Sequence, residues 1–298
     1  MVSPEGREYY KMLRSTPGFG ADGFDFEGLR AGMGTGREPV EAGVQCLPVD
    51  CDGVPGHWVL APGADPDLRV LYLHGGGFVS GSSDFYLPLG GHISAAAGCA
   101  VLLPDYRLAP EHPFPAGLED CIAAYRWLLA NGPAGPAPAR ASFIGGDSAG
   151  GGLTLSALLA LRARGLPLPQ AGICISPFAD LTLTGESIRT QAETDPIMHP
   201  GCLPDFVNRY LTPEQVRDPL ASPIFGGYTG LPPLLIQVGQ YEVILSDSIA
   251  VAEKARAGGV EVTLEVWEGM FHVFQSHDPL LPEGREAIEH IAEVVRRG

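Results

Sequence analysis

Short apolar runs rich in β-branched residues alternate along this chain with longer stretches of helical periodicity. The runs "RVLYLHG" (69–75), "CAVLLPDY" (99–106), "ASFIGG" (141–146), "AGICISP" (171–177), "PLLIQVG" (233–239) and "VTLEVWEG" (262–269) predict buried strands. Between them, residues 116–132 carry Leu118, Cys121, Ile122, Tyr125, Leu128 and Leu129 on one stripe ahead of a glycine stop, the pattern of an amphipathic helix. Residues 148–165 are apolar nearly all round, as a helix packed deep against a sheet would be, and 246–259 and 283–298 are amphipathic with glycine ends. Strand and helix in alternation predict an α/β domain: a mostly parallel sheet with helices on both faces. Ahead of it, 44–50 and 56–61 flank "CDGVP" and predict an antiparallel hairpin at the sheet edge. Two stretches break the alternation. Residues 1–42 carry helical pieces and glycine breaks, and 182–212 are longer than a crossover needs. Both are expected to cap the ends of the strands, leaving 43–298 as the main domain with 182–212 inserted in it.

Composition narrows the classes. Of 298 residues, 45% are hydrophobic and 18% charged, enough apolar material for a large core and too much for a disordered chain. The net charge of −16, from 35 acidic and 19 basic residues, argues against a nucleic-acid partner. No apolar run reaches membrane-spanning length, and "MVSPEGREYYKMLRS" lacks the apolar stretch of a secretory signal, so the expected location is the cytoplasm, with no membrane partner. The six cysteines are then expected to be reduced, Cys46 and Cys51 included. No histidine or cysteine pair has zinc-site spacing, and the two lysines, Lys11 and Lys254, complete no phosphate-binding loop. Neither metal nor cofactor is expected.

Chemistry enters at "SFIGGDSAGGG" (142–152), where Gly146, Asp147, Ser148, Ala149 and Gly150 fit G-x-S-x-G. The motif alone is weak, but a strand precedes it and a helix follows, the setting in which a sharp turn lifts a serine hydroxyl into reach. Such a serine needs a base, and the base an acid to orient it. His272, in "EGMFHVF" just past the last predicted strand, is the candidate base. Glu242, at the end of the preceding strand, is the preferred acid; Asp247 is the alternative, although it stands where a helix begins and also reads as an N-terminal helix charge. Three glycines in "HGGGF" (74–78) expose backbone N–H groups for a developing oxyanion, to which Ala149 adds another.

With "PDYRLAPEHPFPA" (104–116) and "DPLASP" (218–223) beside these motifs, the chain resembles the hormone-sensitive-lipase family of α/β-hydrolases, in its bacterial esterase branch, over residues 55–298. The resemblance implies Ser148 as nucleophile, His272 as base, and an oxyanion hole of Gly76, Gly77 and Ala149, with Gly75 shaping the loop. It implies that His74 braces that loop and that Asp147 and Glu111 are structural. The family usually has aspartate at the acid position, where this chain has Glu242, and that departure keeps Asp247 in play. The implied activity is hydrolysis of short- to medium-chain acyl esters, with a lactone hydrolase or a non-catalytic ligand-binding relative as alternatives. Phe19, Phe24, Phe26, Phe206 and Tyr210 are expected either to wall the pocket or to form a small core of the cap. By analogy with relatives, the edge strand 262–267 is expected to support a homodimer, against the blocking effect of Glu265.

Overall fold

The computed structural model describes every residue except Met1, Pro17, Asp22, Phe24 and residues 35–39. Phe24, one of the expected wall residues, thus lies outside the described residues. Two helices open the chain, α1 (Pro4–Leu13) and α2 (Phe26–Met33), followed by β1 (Gln45–Asp50), β2 (Pro55–Leu60), β3 (Asp65–Leu73), α3 (Ser83–Ala97), β4 (Cys99–Pro104) and α4 (Ala116–Ala130). A two-residue ribbon, β5 (Asn131–Gly132) and β6 (Gly135–Pro136), turns the chain into β7 (Ala141–Asp147), α5 (Ala149–Ala163) and β8 (Gly172–Ile175). The inserted segment carries α6 (Ser187–Thr190) and α7 (Leu203–Tyr210); β9 (Leu234–Gly239), α8 (Leu245–Ala257), β10 (Val262–Trp267) and α9 (Pro282–Arg297) complete the fold.

One eight-stranded sheet runs in the order β1-β2-β4-β3-β7-β8-β9-β10. The β1–β2 hairpin lies antiparallel at one edge, β2 joins β4 antiparallel, and every later pairing is parallel, as expected from the pattern. Strands β4, β7, β8 and β9 are buried along their whole length, because helices cover both faces. Alternate side chains sort the core into two layers. Leu71 and Leu73 of β3 pack with α4, α5 and α8, while Val70 and Tyr72 point to α3 and α9.

Helix α3 was not expected from the sequence. Pro88, Gly90 and Gly91 interrupt its pattern, yet Tyr86, Leu89, Ile93 and Ala97 make a buried face. Ser82 caps its start by accepting from Phe85 N–H at 3.2 Å, and Gly98 ends it at φ 65°. The cysteines are all free, Cys46 and Cys51 among them. No helix among the described residues is long and apolar enough to cross a membrane.

Candidate active site

Ser148 stands between β7 and α5 at φ 53°, ψ −119°, a strained backbone that L-residues rarely adopt. Its N–H donates to Ile175 O (2.9 Å) and its carbonyl accepts from Phe178 N–H (2.9 Å), so the strained turn is fixed from the neighbouring strand end. The glycines allow the turn to close: a Cβ on Gly146 or Gly150 would run into the backbone carbonyl of Leu73. Ser148 and His272 line one cavity of about 1010 Å³, together with Gly76, Gly77 and Phe206.

The loops after β9 and β10 are stitched side by side, Gln240 N–H donating to Trp267 O (3.0 Å) and Tyr241 N–H to Met270 O (2.9 Å). This brings Glu242 Oε2 to 2.9 Å from Nδ1 of His272. Glu242 is completely buried and its Oε1 accepts from Ser176 Oγ at 2.7 Å. Burial opposes a charge on His272, but the hydrogen bond and charge of Glu242 outweigh it, aided by Asp195 and Asp147, and the imidazole pKa is raised above its ordinary value.

Asp247 faces elsewhere. Its Oδ2 accepts from the N–H groups of Ala179 (2.9 Å) and Asp180 (2.8 Å), fixing the loop after β8, and burial pushes its carboxyl up to about 7.

On the opposite wall, Gly76 O accepts from Val79 N–H (3.1 Å) and Ser80 N–H (3.0 Å), a tight turn that faces this carbonyl back into the loop. Gly76 and Gly77 have φ of 112° and 62°, and a Cβ on either would strike Ser80 or the ring of Phe206. Gly75 differs from its neighbours: its N–H donates to Tyr86 Oη (3.0 Å), so it shapes the loop and leaves no donor for a ligand. Of the three motif glycines whose N–H groups were expected to face an oxyanion, Gly75 is thereby removed, which leaves it the loop-shaping place that the resemblance implies. Tyr86 Oη in turn donates to Asp147 Oδ2 (2.8 Å), and Tyr72 Oη to Oδ1 (3.0 Å). Burial lifts the Asp147 carboxyl to about 6 against these bonds. Nδ1 of His74 lies 2.8 Å from Gly75 O, its ring stacks on Tyr106 at 4.2 Å, and burial lowers its pKa, all of which suit a brace. Glu111 lies away from the cavity and forms a two-pronged ion pair with Arg30 of α2.

The two unusual segments meet over the cavity. Phe19 pairs with Met198 as an isolated bridge, and Phe19 and Phe206 are stacked at 6.1 Å in the wall. Tyr210 and Phe26 are not in the wall. Tyr210 lies flat on Phe78 at 3.9 Å, and Phe26 lies under the guanidinium groups of Arg30 and Arg209, 4.6 and 5.0 Å from its centre.

Sequence reasoning missed Ser176, Tyr72 and Tyr86. Ser176 holds Glu242 and also accepts from Val273 N–H at 3.3 Å, so one hydroxyl braces both loops. It stands just past the end of β8, at φ 46°, and nothing within a few residues of it in the sequence marks that role.

A family model described as the alpha/beta hydrolase fold matches residues 70–276. An acetyl-hydrolase of Streptomyces hygroscopicus is 47% identical over 232 residues, 78% of this chain and 76% of that protein. An esterase of Acinetobacter venetianus is 35% identical over 256 residues, 86% of this chain and 83% of its own length. Among solved structures, EstE5 soaked with p-nitrophenyl butyrate superposes with a TM-score of 0.92 at 44% identity, covering 99% of both chains. An esterase of the bacterial hormone-sensitive lipase family superposes at 0.89 with 46% identity, over 100% of this chain and 99% of that one.

Proposed function

We propose a mechanism for a chain that belongs to the hormone-sensitive-lipase family of α/β-hydrolases and is a carboxylic ester hydrolase: it cleaves short- to medium-chain acyl esters through an acyl-serine on Ser148. The observation that carries this reading is the buried Glu242–His272 pair, whose imidazole lines the same cavity as the strained Ser148 turn. His272 takes the Ser148 proton as Oγ attacks the ester carbonyl, and Glu242 stabilises the imidazolium. The N–H groups of Gly76, Gly77 and Ala149 hold the oxyanion. His272 returns the proton to the leaving alcohol, and water, deprotonated by the same imidazole, releases the acid. The enzymatic assignment sets aside the ligand-binding alternative without catalysis.

Among the described residues, the cavity offers no lysine or arginine to an anionic substrate. Its lining is largely apolar. Its volume of about 1010 Å³ is at the upper end for small-molecule sites, room for a medium acyl chain and an alcohol together. Rapid mixing with p-nitrophenyl butyrate and mass analysis of the quenched protein test the mechanism. The expected adduct is one butyryl group on the Ser148 peptide, absent in Ser148→Ala. Undiminished turnover by that variant would refute the reading.

A further inference from the structure

The backbone of Val243, next after Glu242, is gripped at both its N–H and its carbonyl by the inserted segment. Its N–H donates to Asp195 Oδ2 at 2.9 Å, and its carbonyl accepts from Ser187 Oγ at 2.7 Å. Asp195 is 4% exposed, and its other oxygen accepts from Ile197 N–H (2.8 Å) and Met198 N–H (3.0 Å). Ile197 and Met198 are cavity wall. Through them the N-terminal segment is joined as well, because Phe19 N–H donates to Ile197 O (2.7 Å) and Phe19 O accepts from His199 N–H (2.9 Å). A single buried carboxylate therefore ties the wall of the cavity to the peptide that follows the partner of His272.

We infer that Asp195 is a positioning residue for the Glu242–His272 pair, acting through the Val243 N–H, and that it links the cap over the cavity to that pair. This rests on the reading of the site proposed above. Three carboxylates from three elements bear on His272: Glu242 from the β9–α8 loop, Asp195 from the inserted segment and Asp147 from the end of β7. Only Asp195 belongs to the cap. Burial lifts its own carboxyl to about 6, while His272 and its three backbone donors favour the ionised form. Tyr10 of α1 also bears on it electrostatically. A buried negative charge near an imidazole holds the proton on it, so removing the charge lowers the imidazole pKa.

Asp195→Asn tests the inference, with activity normalised to active sites counted by sulfonyl fluoride titration. The amide offers one acceptor oxygen in place of two, and a donor group must meet one of the N–H groups. The expected result is a fall of about tenfold in kcat/KM, and a shift of the acid limb of its pH profile to lower pH. A folded variant with parental kcat/KM and pH midpoint overturns the inference. If Asp195→Asn does not fold, Ser187→Ala decides, since it cuts the bond to the Val243 carbonyl, together with the acceptor of Ser246 N–H (2.9 Å), and leaves the charge. A lowered kcat with the pH midpoint unmoved supports positioning, and a parental kcat overturns it. Ser148→Ala run alongside separates the two levels. Its retained activity would remove the reading of the site, whereas an unmoved Asp195→Asn with inactive Ser148→Ala removes only the role of Asp195.

Discussion

Glu242 Oε2 lies 2.9 Å from Nδ1 of His272, in a place where the glutamate is 0% and the histidine 6% exposed. In such a low-dielectric site the pair behaves as a unit, and protonating the imidazole is favoured by the carboxylate beside it. A general base must be neutral to act. With the His272 pKa raised, the acid limb of kcat/KM is expected above the ordinary histidine value of about 6.5. Glu242→Gln keeps the shape and removes the charge. It is expected to lower kcat by about three to four orders of magnitude and to move any residual acid limb downward. A pH–rate series on a p-nitrophenyl ester checks both; an unchanged limb would separate Glu242 from the imidazole.

Asp247 offers the contrasting case. It binds two backbone N–H groups of the loop after β8, so Asp247→Asn is expected to keep kcat and its pH profile, whereas Asp247→Ala loses both bonds and about 2–4 kcal/mol of stability. The carboxyl is pushed up to about 7 by burial. Between the unfolded value, about 4, and that folded value the native state binds more protons than the unfolded chain, so this group's contribution to stability declines as pH rises through the window. Melting temperatures of parent and Asp247→Asn measured from pH 5 to 8 are expected to move in the variant's favour. Divergence in the other direction contradicts a buried, reluctantly ionised Asp247.

What could be read from the sequence was what local geometry encodes. Gly146 and Gly150 flank Ser148 where Leu73 O passes too close for any side chain, and that constraint leaves its mark within a few residues of the turn. The strands of the parallel sheet were legible because helices on both faces demand continuous apolar runs. Helix α3 was hidden, because Pro88 and two glycines obscure a pattern that packing completes, with Gly90 closing against Leu103 and Val59. Ser176 was illegible for another reason. Its partners Glu242 and Val273 are 66 and 97 residues away, and only the sheet order brings them together. Choosing between Glu242 and Asp247 as the partner of His272 likewise required the stitched loops.

Tyr86 connects the glycine loop to the serine turn through the chain Gly75 N–H to Tyr86 Oη to Asp147. Tyr86→Phe leaves a buried N–H without its acceptor and frees the loop that presents Gly76 and Gly77. Because an oxyanion forms only in the transition state, kcat is expected to fall about tenfold with KM little changed. Steady-state kinetics on one ester suffice, and a risen KM at parental kcat contradicts the proposed loop function.

Strand β10 is one of the two edge strands of the sheet, opposite β1, with Val266 46% exposed. Glu265 does not guard that edge. It turns toward α9, accepting from Gln237 Nε2 (2.9 Å) and Trp267 Nε1 (3.2 Å), with His290 Nδ1 at 2.9 Å. An unguarded edge favours pairing with the same strand of a second copy. The expected light-scattering mass is twice the chain's 31.4 kDa, returning to the single-chain value in Val266→Lys. A single-chain mass for the parent at all concentrations refutes the dimer.

Gly32 of α2 lines the cavity at a point where an added Cβ would meet nothing within 4 Å among the described residues. A substrate with a long arm is expected to reach the space beyond it. Gly32→Leu places an isobutyl group in that space and leaves the backbone in ordinary helix, where leucine is favoured over glycine by up to about 1 kcal/mol. The variant is therefore expected to melt no lower than the parent, so that any activity change reflects the cavity. Esters with short arms should turn over as before, while kcat/KM for the longest that the parent accepts falls by about tenfold or more, the cost of a few lost apolar contacts. Two series decide which arm points there: p-nitrophenyl esters of increasing acyl length, and acetates of increasing alcohol length. A drop at the long end of only the first assigns the α2 side to the acyl chain, and of only the second to the alcohol. Parental profiles in both series would mean that substrate does not reach α2.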